Sequence, residues 1–335
     1  MRVLLLTHNV AGIFDDPDEA LRPWADGLAA LVQRTRADFI ALHMQEVGGS
    51  RWRTCGLNGA AAVAGAVEAA LPDHWSSGMM VRTDTAEDGF TALGSIYLVR
   101  RSAMQLVRLW RWKEAEGAAG AFESLRAADG PLGYLLTRWQ LGGGGGAVLD
   151  LVNVHNFHDE SNLAALAAGA STYASCRQQA LSLVTAALLG LRGGGAAGGG
   201  AAPAPASAAF LFGDFNFRSR PRSLPAPLPT SDRELAPFSA SAECALPLEE
   251  LPLAFPPSYA YREGKGDGTP PDEAGWCDLL ASKRCPAWCD RVLMDRTGGA
   301  LVAASAVTAE YGHEPQPRVL TDHNQVYLAF SVESR

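Results

Sequence analysis

Short apolar runs recur along the chain, and four of them end on polar residues. Residues 3–6 run into Thr7, His8 and Asn9, and residues 39–42 into His43, Gln45 and Glu46. Residues 147–154 run into His155, and residues 208–212 into Gly213 and Asp214. Runs this short and apolar predict buried strands. Residues 91–99, 104–112, 289–294, 301–307 and 326–332 are also predicted as strands. Asp15-Asp16-Pro17-Asp18 predicts the start of a helix reaching about Arg36, with Leu21, Trp24, Leu28, Leu31 and Val32 on one face. Residues 59–71 are alanine-rich and predicted helical, as are most of 162–191. Gly142–Gly146 predicts a hairpin-like connection. Residues 192–207 are Gly/Ala/Pro low complexity, expected as a mobile surface loop, and 219–257 are proline-rich with little regular structure expected. No internal repeat interrupts this order.

Alternating strand and helix signals over 335 residues, 47% of them hydrophobic, predict an enzyme-sized α/β fold with a large core. The net charge of −8 disfavours a general nucleic-acid binder, although arginines in a cleft can still hold a small anion. The six cysteines, Cys55, Cys176, Cys244, Cys277, Cys285 and Cys289, are too scattered for a disulfide framework and lack paired zinc spacing. No signal peptide, transmembrane stretch or C-terminal prenylation box is read, so a soluble, cytoplasmic monomer is expected.

Open sheets place functional residues beyond the carboxyl ends of their strands, so the polar strand ends form one candidate set. It comprises Asn9, Glu46, His155, Asp214 and Asn216, with Asp290, Asp322 and His323 from the last third. A hard cation such as Mg2+ takes oxygen ligands, and Glu46 with Asn9 beside it is the candidate pair. Asp214, after the tight Gly213 turn, can take a proton from water. His155 and His323 can donate to a phosphoryl group, and Asp290 or Asp322 can orient an imidazole. His8, His43 and His158 are read as structural, and arginines 100, 101, 108 and 111 as a solvated strand face.

These residues carry a resemblance. Thr7-His8-Asn9-Val10, Gln45-Glu46, Asn153-Val154-His155 and Gly213-Asp214-Phe215-Asn216-Phe217-Arg218 occur in that order. Pro286-Ala287-Trp288-Cys289-Asp290-Arg291-Val292-Leu293 and Asp322-His323 follow. Together they resemble the signatures of the inositol polyphosphate 5-phosphatase family. Phe14-Asp15-Asp16-Pro17, Phe90-Thr91-Ala92-Leu93-Gly94-Ser95, Thr137-Arg138-Trp139, Phe157-His158-Asp159 and Phe255-Pro256-Pro257-Ser258-Tyr259 are similar to its type I branch, which acts on inositol 1,4,5-trisphosphate.

The resemblance implies one catalytic domain over residues 1–335, folded as a four-layer αββα sandwich of the DNase I-like phosphoesterase class. It implies Mg2+ held by Glu46 and Asn9, water activation by Asp214, and phosphate binding by Asn216. It further implies His155 and His323 on the scissile phosphate, Asp290 orienting His323, and Asp322 supporting the metal–phosphate site. Arg138, Arg218 and Arg291 become candidates for substrate binding. The implied activity is removal of the 5-phosphate from soluble inositol tris- and tetrakisphosphates, which ends a calcium-release signal.

Three departures stand out. Asn324-Gln325 replaces the family's basic residue and proline after Asp322-His323, Asn156 replaces a leucine, and residues 219–253 are short for the branch. Three alternatives stay open: a phosphoinositide lipid phosphatase, a nuclease or sphingomyelinase on the same scaffold, and a non-catalytic inositol-phosphate binder.

Overall fold

The computed structural model describes residues 1–49, 52–82, 93–109, 133–159, 171, 173–193, 207–217, 234–264, 278–281, 284–314 and 319–334. Twelve strands are described: β1 Arg2–Asn9, β2 Phe39–Gln45, β3 His74–Arg82, β4 Leu93–Arg100, β5 Val107–Leu109, β6 Gly133–Leu141, β7 Ala147–His155, β8 Ser207–Asp214, β9 Leu248–Glu249, β10 Asp290–Asp295, β11 Glu310–Glu314 and β12 Gln325–Ser331. The helices are α1 Pro17–Thr35, α2 Trp52–Ala70, α3 Ala174–Gly193, α4 Leu235–Ser239 and α5 Arg296–Ala303.

The strands form two six-stranded sheets, β11-β12-β1-β2-β4-β3 and β5-β6-β7-β8-β10-β9. Each sheet is built on one parallel pair, β1 with β2 and β7 with β8, flanked by antiparallel neighbours. Both faces of these central strands are covered, which is why they read as unbroken apolar runs. Val3, Leu5, Phe39, Ala41 and Tyr97 of the first sheet meet Leu149, Leu151, Phe210, Phe212 and Val292 of the second. On the outer face of the first sheet, Leu4, Leu6, Ile40 and Leu42 lie under Trp24, Leu28 and Leu31 of α1 and Val63 and Val67 of α2. On the outer face of the second, Val152, Val154, Leu211 and Leu293 lie under Leu181, Val184 and Leu188 of α3. The result is the expected four-layer sandwich, in which each fully buried large side chain contributes on the order of 1.5–3 kcal/mol.

α1 starts where the sequence predicts, with Pro17 in its first turn and Asp18 and Glu19 complementing its dipole. It ends on Arg36 in the left-handed conformation (φ 53°).

Two predicted elements differ. Residues 301–307, expected as a strand, are not one: 301–303 are the last turn of α5, where the Asp295 carboxylate accepts the Gly298 N–H at 2.8 Å and caps the helix, and 304–307 are turn and irregular backbone. Residues 104–106 belong to a 3-10 turn, Arg101–Leu106, and the strand begins only at Val107. Residues 91–92, 110–112, 162–170, 194–206 and 219–233, on which parts of the sequence reading fall, lie outside the described residues.

Candidate active site

Strand register brings the candidate side chains to one rim. Asn9 ends β1 opposite Gln45 on β2, so Glu46 follows directly beside it. Asp214 ends β8 with His155 of β7 across one ladder and Asp290 of β10 across the other. Three adjacent strands thus present His155, Asp214 and Asp290 in a row. Gly213 permits this, since a Cβ there would sit 1.8 Å from the Val154 carbonyl oxygen of β7. Glu46 and Asn216, each just beyond a strand end, hold φ of 56° and 53°. Left-handed backbone at non-glycine residues is costly and clusters at functional sites.

A buried polar contact ties the two sheets together beneath this rim. Gln45 Nε2 donates to Asn153 Oδ1 at 2.8 Å, and Asn153 Nδ2 donates to the Gly94 carbonyl at 2.9 Å. The spacing between Glu46 on one sheet and His155 on the other is set by these bonds, because neither amide can shift without stranding buried polar groups.

Asn9 Nδ2 bridges Glu46 Oε1 at 2.7 Å and Asp214 Oδ2 at 3.3 Å, while its Oδ1 accepts the Ala11 N–H at 3.3 Å. Asp214 Oδ1 accepts the Asn216 N–H at 2.9 Å, and Asn216 Nδ2 donates to the Asn156 carbonyl at 3.0 Å. His155 Nε2 lies 3.7 Å from Glu46 Oε1 and 3.8 Å from Asp214 Oδ2. From the other side, His323 Nε2 lies 3.9 Å from Asp214 Oδ2 and 3.9 Å from Asp322 Oδ1. His323 Nδ1 donates to Asp290 Oδ2 at 2.7 Å. Asn9, Glu46, His155, Asp214, Asn216, Asp290, Asp322 and His323, with the Asn156 carbonyl that accepts from Asn216, therefore form one connected constellation.

The His323–Asp290 pair is fully buried. Burial opposes charge on both partners and lifts the Asp290 carboxyl above its ordinary value. Burial also acts to lower His323, but the carboxylates of Asp290, Asp214 and Asp322 outweigh it and raise the imidazole to about 10. The pair therefore holds its proton as an imidazolium facing Asp214, a cationic donor aimed at the rim.

The arginines fall differently. Arg138 of β6 is buried and donates through Nε and Nη2 to the fully buried Asp150. Arg291 is buried, pairs with Glu250 and lies over the Phe217 ring at 5.3 Å. Both guanidinium groups, expected to bind substrate, close internal ion pairs of the fold. Arg218 lies outside the described residues.

A cation that the motif reading passes over, Arg284, stands at the rim instead. It pairs with Asp322, donates to the Tyr259 hydroxyl at 3.3 Å, and is half exposed. Its signal was its place in Ser282-Lys283-Arg284, directly before the Cys285-Pro286 segment. Tyr259, part of a motif but given no role there, packs its ring on His323 with centroids 4.6 Å apart. The Asn324-Gln325 departure leaves the turn held by backbone bonds: Asn324 N–H to the Ser258 carbonyl at 2.7 Å and Tyr261 N–H to the Asp322 carbonyl at 2.9 Å.

The donor set fits a hard divalent cation. Ligand-capable atoms of Asp214, Asp290 and His323 lie within 4.8 Å of one another, but His323 Nδ1 and Asp290 Oδ2 are engaged with each other. The more open carboxylate is Glu46, 44% exposed, with Asp214 beside it. Oxygen donors of this kind suit Mg2+ or Ca2+. Several carboxylates converging at one rim also favour a neutralising cation. As oriented, Asn9 presents its nitrogen to the acids, so ligation by Asn9 requires its amide to turn over.

The pattern of Endonuclease/Exonuclease/phosphatase family 2 matches residues 6–329. Inositol polyphosphate-5-phosphatase A of Rattus norvegicus is 26% identical over 420 aligned positions, covering 98% of this chain and 93% of the relative. A probable type I inositol 1,4,5-trisphosphate 5-phosphatase of Caenorhabditis elegans is 25% identical over 434 positions, covering 99% and 100%. Both alignments are longer than this chain, so the relatives carry inserted segments. Among solved structures, the inositol polyphosphate 5-phosphatase domain of SPsynaptojanin, in complex with inositol (1,4)-bisphosphate and calcium ion, aligns with a TM-score of 0.57. It is 15% identical and covers 99% of this chain and 85% of that one, a likeness of fold.

Proposed function

The chain belongs to Endonuclease/Exonuclease/phosphatase family 2, and on that premise we propose that it hydrolyses the 5-phosphate of a soluble inositol polyphosphate, inositol 1,4,5-trisphosphate or 1,3,4,5-tetrakisphosphate, with Mg2+ as its metal. The observation that carries this reading is the convergence of Glu46, His155, Asp214 and the Asp290–His323 pair at the joint rim of two sheets. The names of the full-length relatives supply the 5-position and the inositol ring.

In this reading Asp214 takes a proton from the attacking water while the water oxygen bonds to phosphorus. The bond from phosphorus to the inositol oxygen breaks, and that oxygen leaves with the electron pair and takes a proton from solvent. The His323 imidazolium and His155 donate to the phosphoryl oxygens, where charge spreads in the transition state. Asn216 holds Asp214 through its backbone N–H and fixes the adjoining loop through its amide. Glu46, with Asp214 beside it, would hold Mg2+, which when bound neutralises phosphate charge and stabilises the leaving oxygen. Arg284 offers a cation for a neighbouring phosphate of the ring. Ending a calcium-release signal follows as the cellular role of the trisphosphate reaction.

The test is phosphate release from a panel of soluble and lipid inositol phosphates and abasic DNA, with Mg2+, with chelator, and with Asp214→Asn. Expected is fastest release from inositol 1,4,5-trisphosphate, loss in chelator, recovery on adding Mg2+, and a fall of at least about 1,000-fold in the variant. Faster turnover of a lipid or of DNA overturns the substrate assignment. Activity that persists in Asp214→Asn overturns the base.

A further inference from the structure

His8 is fully buried at the penultimate position of β1, and both of its ring nitrogens are engaged. Trp24 of α1 donates its indole N–H to His8 Nδ1 at 2.9 Å. An indole nitrogen only donates, so Nδ1 must be the unprotonated acceptor. The ring proton of neutral His8 therefore sits on Nε2, which lies 3.2 Å from the backbone carbonyl oxygen of His323 and donates to it. Burial, together with the nearby His323 charge, keeps the His8 ring neutral. The tautomer is thus set from the helix layer, and the donor it creates points at the backbone of the residue that carries the site's imidazolium.

From this geometry we infer that Trp24 and His8 form a positioning pair for catalysis, holding His323 in place through its carbonyl; the inference rests on the reading of His323 as a phosphoryl donor. The neighbouring backbone is fixed from the opposite side, at the Asp322 carbonyl by Tyr261 N–H and at Asn324 N–H by the Ser258 carbonyl. The His323 carbonyl itself takes the bond from His8. Without that bond the peptide at 323 can rotate between its two anchors, and rotation moves the ring away from Asp290 and from the face it shares with Asp214. Removal of the indole donor acts the same way at one remove. Nδ1 can then take the proton, leaving a lone pair on Nε2 facing the carbonyl oxygen.

The experiment compares His8→Leu, His8→Gln and Trp24→Phe with the unaltered protein, using kcat per folded molecule, KM for inositol 1,4,5-trisphosphate, and the 15N and low-field proton spectrum of labelled histidines. A glutamine can donate from near the Nε2 position and accept from Trp24, so it is the conservative replacement. Loss of one such bond predicts a fall in kcat of roughly three- to tenfold in His8→Leu and Trp24→Phe, with KM within twofold and largely restored kcat in His8→Gln. The Nδ1–H signal of His323 should shift or broaden in His8→Leu and return in His8→Gln. If kcat per folded molecule and that signal are unchanged in His8→Leu, the pair is only packing and the inference fails. If the unaltered protein turns over none of the panel, the functional reading fails separately, and the spectra still decide whether His8 positions His323.

Discussion

Replacing Asp290 by asparagine removes one oxygen's charge and leaves the volume of the buried pair almost unchanged. Asp290 is fully buried and accepts from His323 Nδ1 at 2.7 Å, so solvent cannot take its place. A hydrogen bond to a charged group is worth roughly 1.5–3 kcal/mol, which corresponds to about 10–150-fold in kcat if the imidazolium acts in the transition state. The same energy corresponds to about one to two units in the pKa of His323, at 1.36 kcal/mol per unit. The sign follows from the raised value of about 10. The cationic donor is present below that pH and is lost as pH rises through it. Asp290→Asn leaves the burial that lowers the pKa and removes the nearest group that raises it, so the donor is lost at lower pH. The assay is kcat for phosphate release from pH 6 to 10.5, with circular dichroism to confirm the fold. Expected is a lower plateau and an alkaline limb moved down by about one to two units, with KM changed less than kcat. A variant whose alkaline limb stays in place, or whose kcat is within twofold, refutes the assignment of His323 as a charged donor held by Asp290.

Two further outcomes follow. Burial holds His8 and His43 neutral, with values near 3, so the unfolded chain binds more protons and stability falls as pH drops below 6.5; at pH 5 each accounts for about 2 kcal/mol. Urea midpoints at pH 7.5 and 5.0 should differ less for His43→Gln than for the unaltered protein, and an equal difference would discount the buried imidazole as the cause. Arg138→Met should lower stability by about 3–5 kcal/mol by leaving the buried Asp150 carboxylate without its main partner, while KM of the folded fraction stays within twofold. A tenfold rise in KM with stability intact would return Arg138 to the substrate.

The strands that carry the site were the legible part of the sequence. Their central position makes them apolar throughout, so Asn9, His155 and Asp214 stand out where each run ends. The end of α5, residues 301–303, was read as the start of a strand because Leu301-Val302 favours one locally. The deciding group, the capping carboxylate of Asp295, lies six residues earlier. Arg138 and Arg291 sit inside or beside functional motifs, and only the fold shows carboxylates 12 and 41 positions away closing on them. His8 looked like a core histidine, which it is; its link to His323 spans 315 positions and leaves no local trace. Local pattern reports burial and strand ends well, and is silent about which distant partner satisfies a buried charge.

β12 pairs with β1 in the interior of the first sheet, so the segment last in sequence lies next to the first. During synthesis, β1 can pair with β2 early but must wait for more than three hundred residues before its other neighbour exists, and the sheet carries an open, apolar flank until then. Contacts so distant along the chain form slowly, and unpaired strand edges invite association with other chains. Because His323 lies just before β12 and Asn9 ends β1, the rim cannot assemble until that late strand docks. A nascent chain stalled before residue 325 should therefore be inactive and prone to aggregate, whatever the stability of its helices.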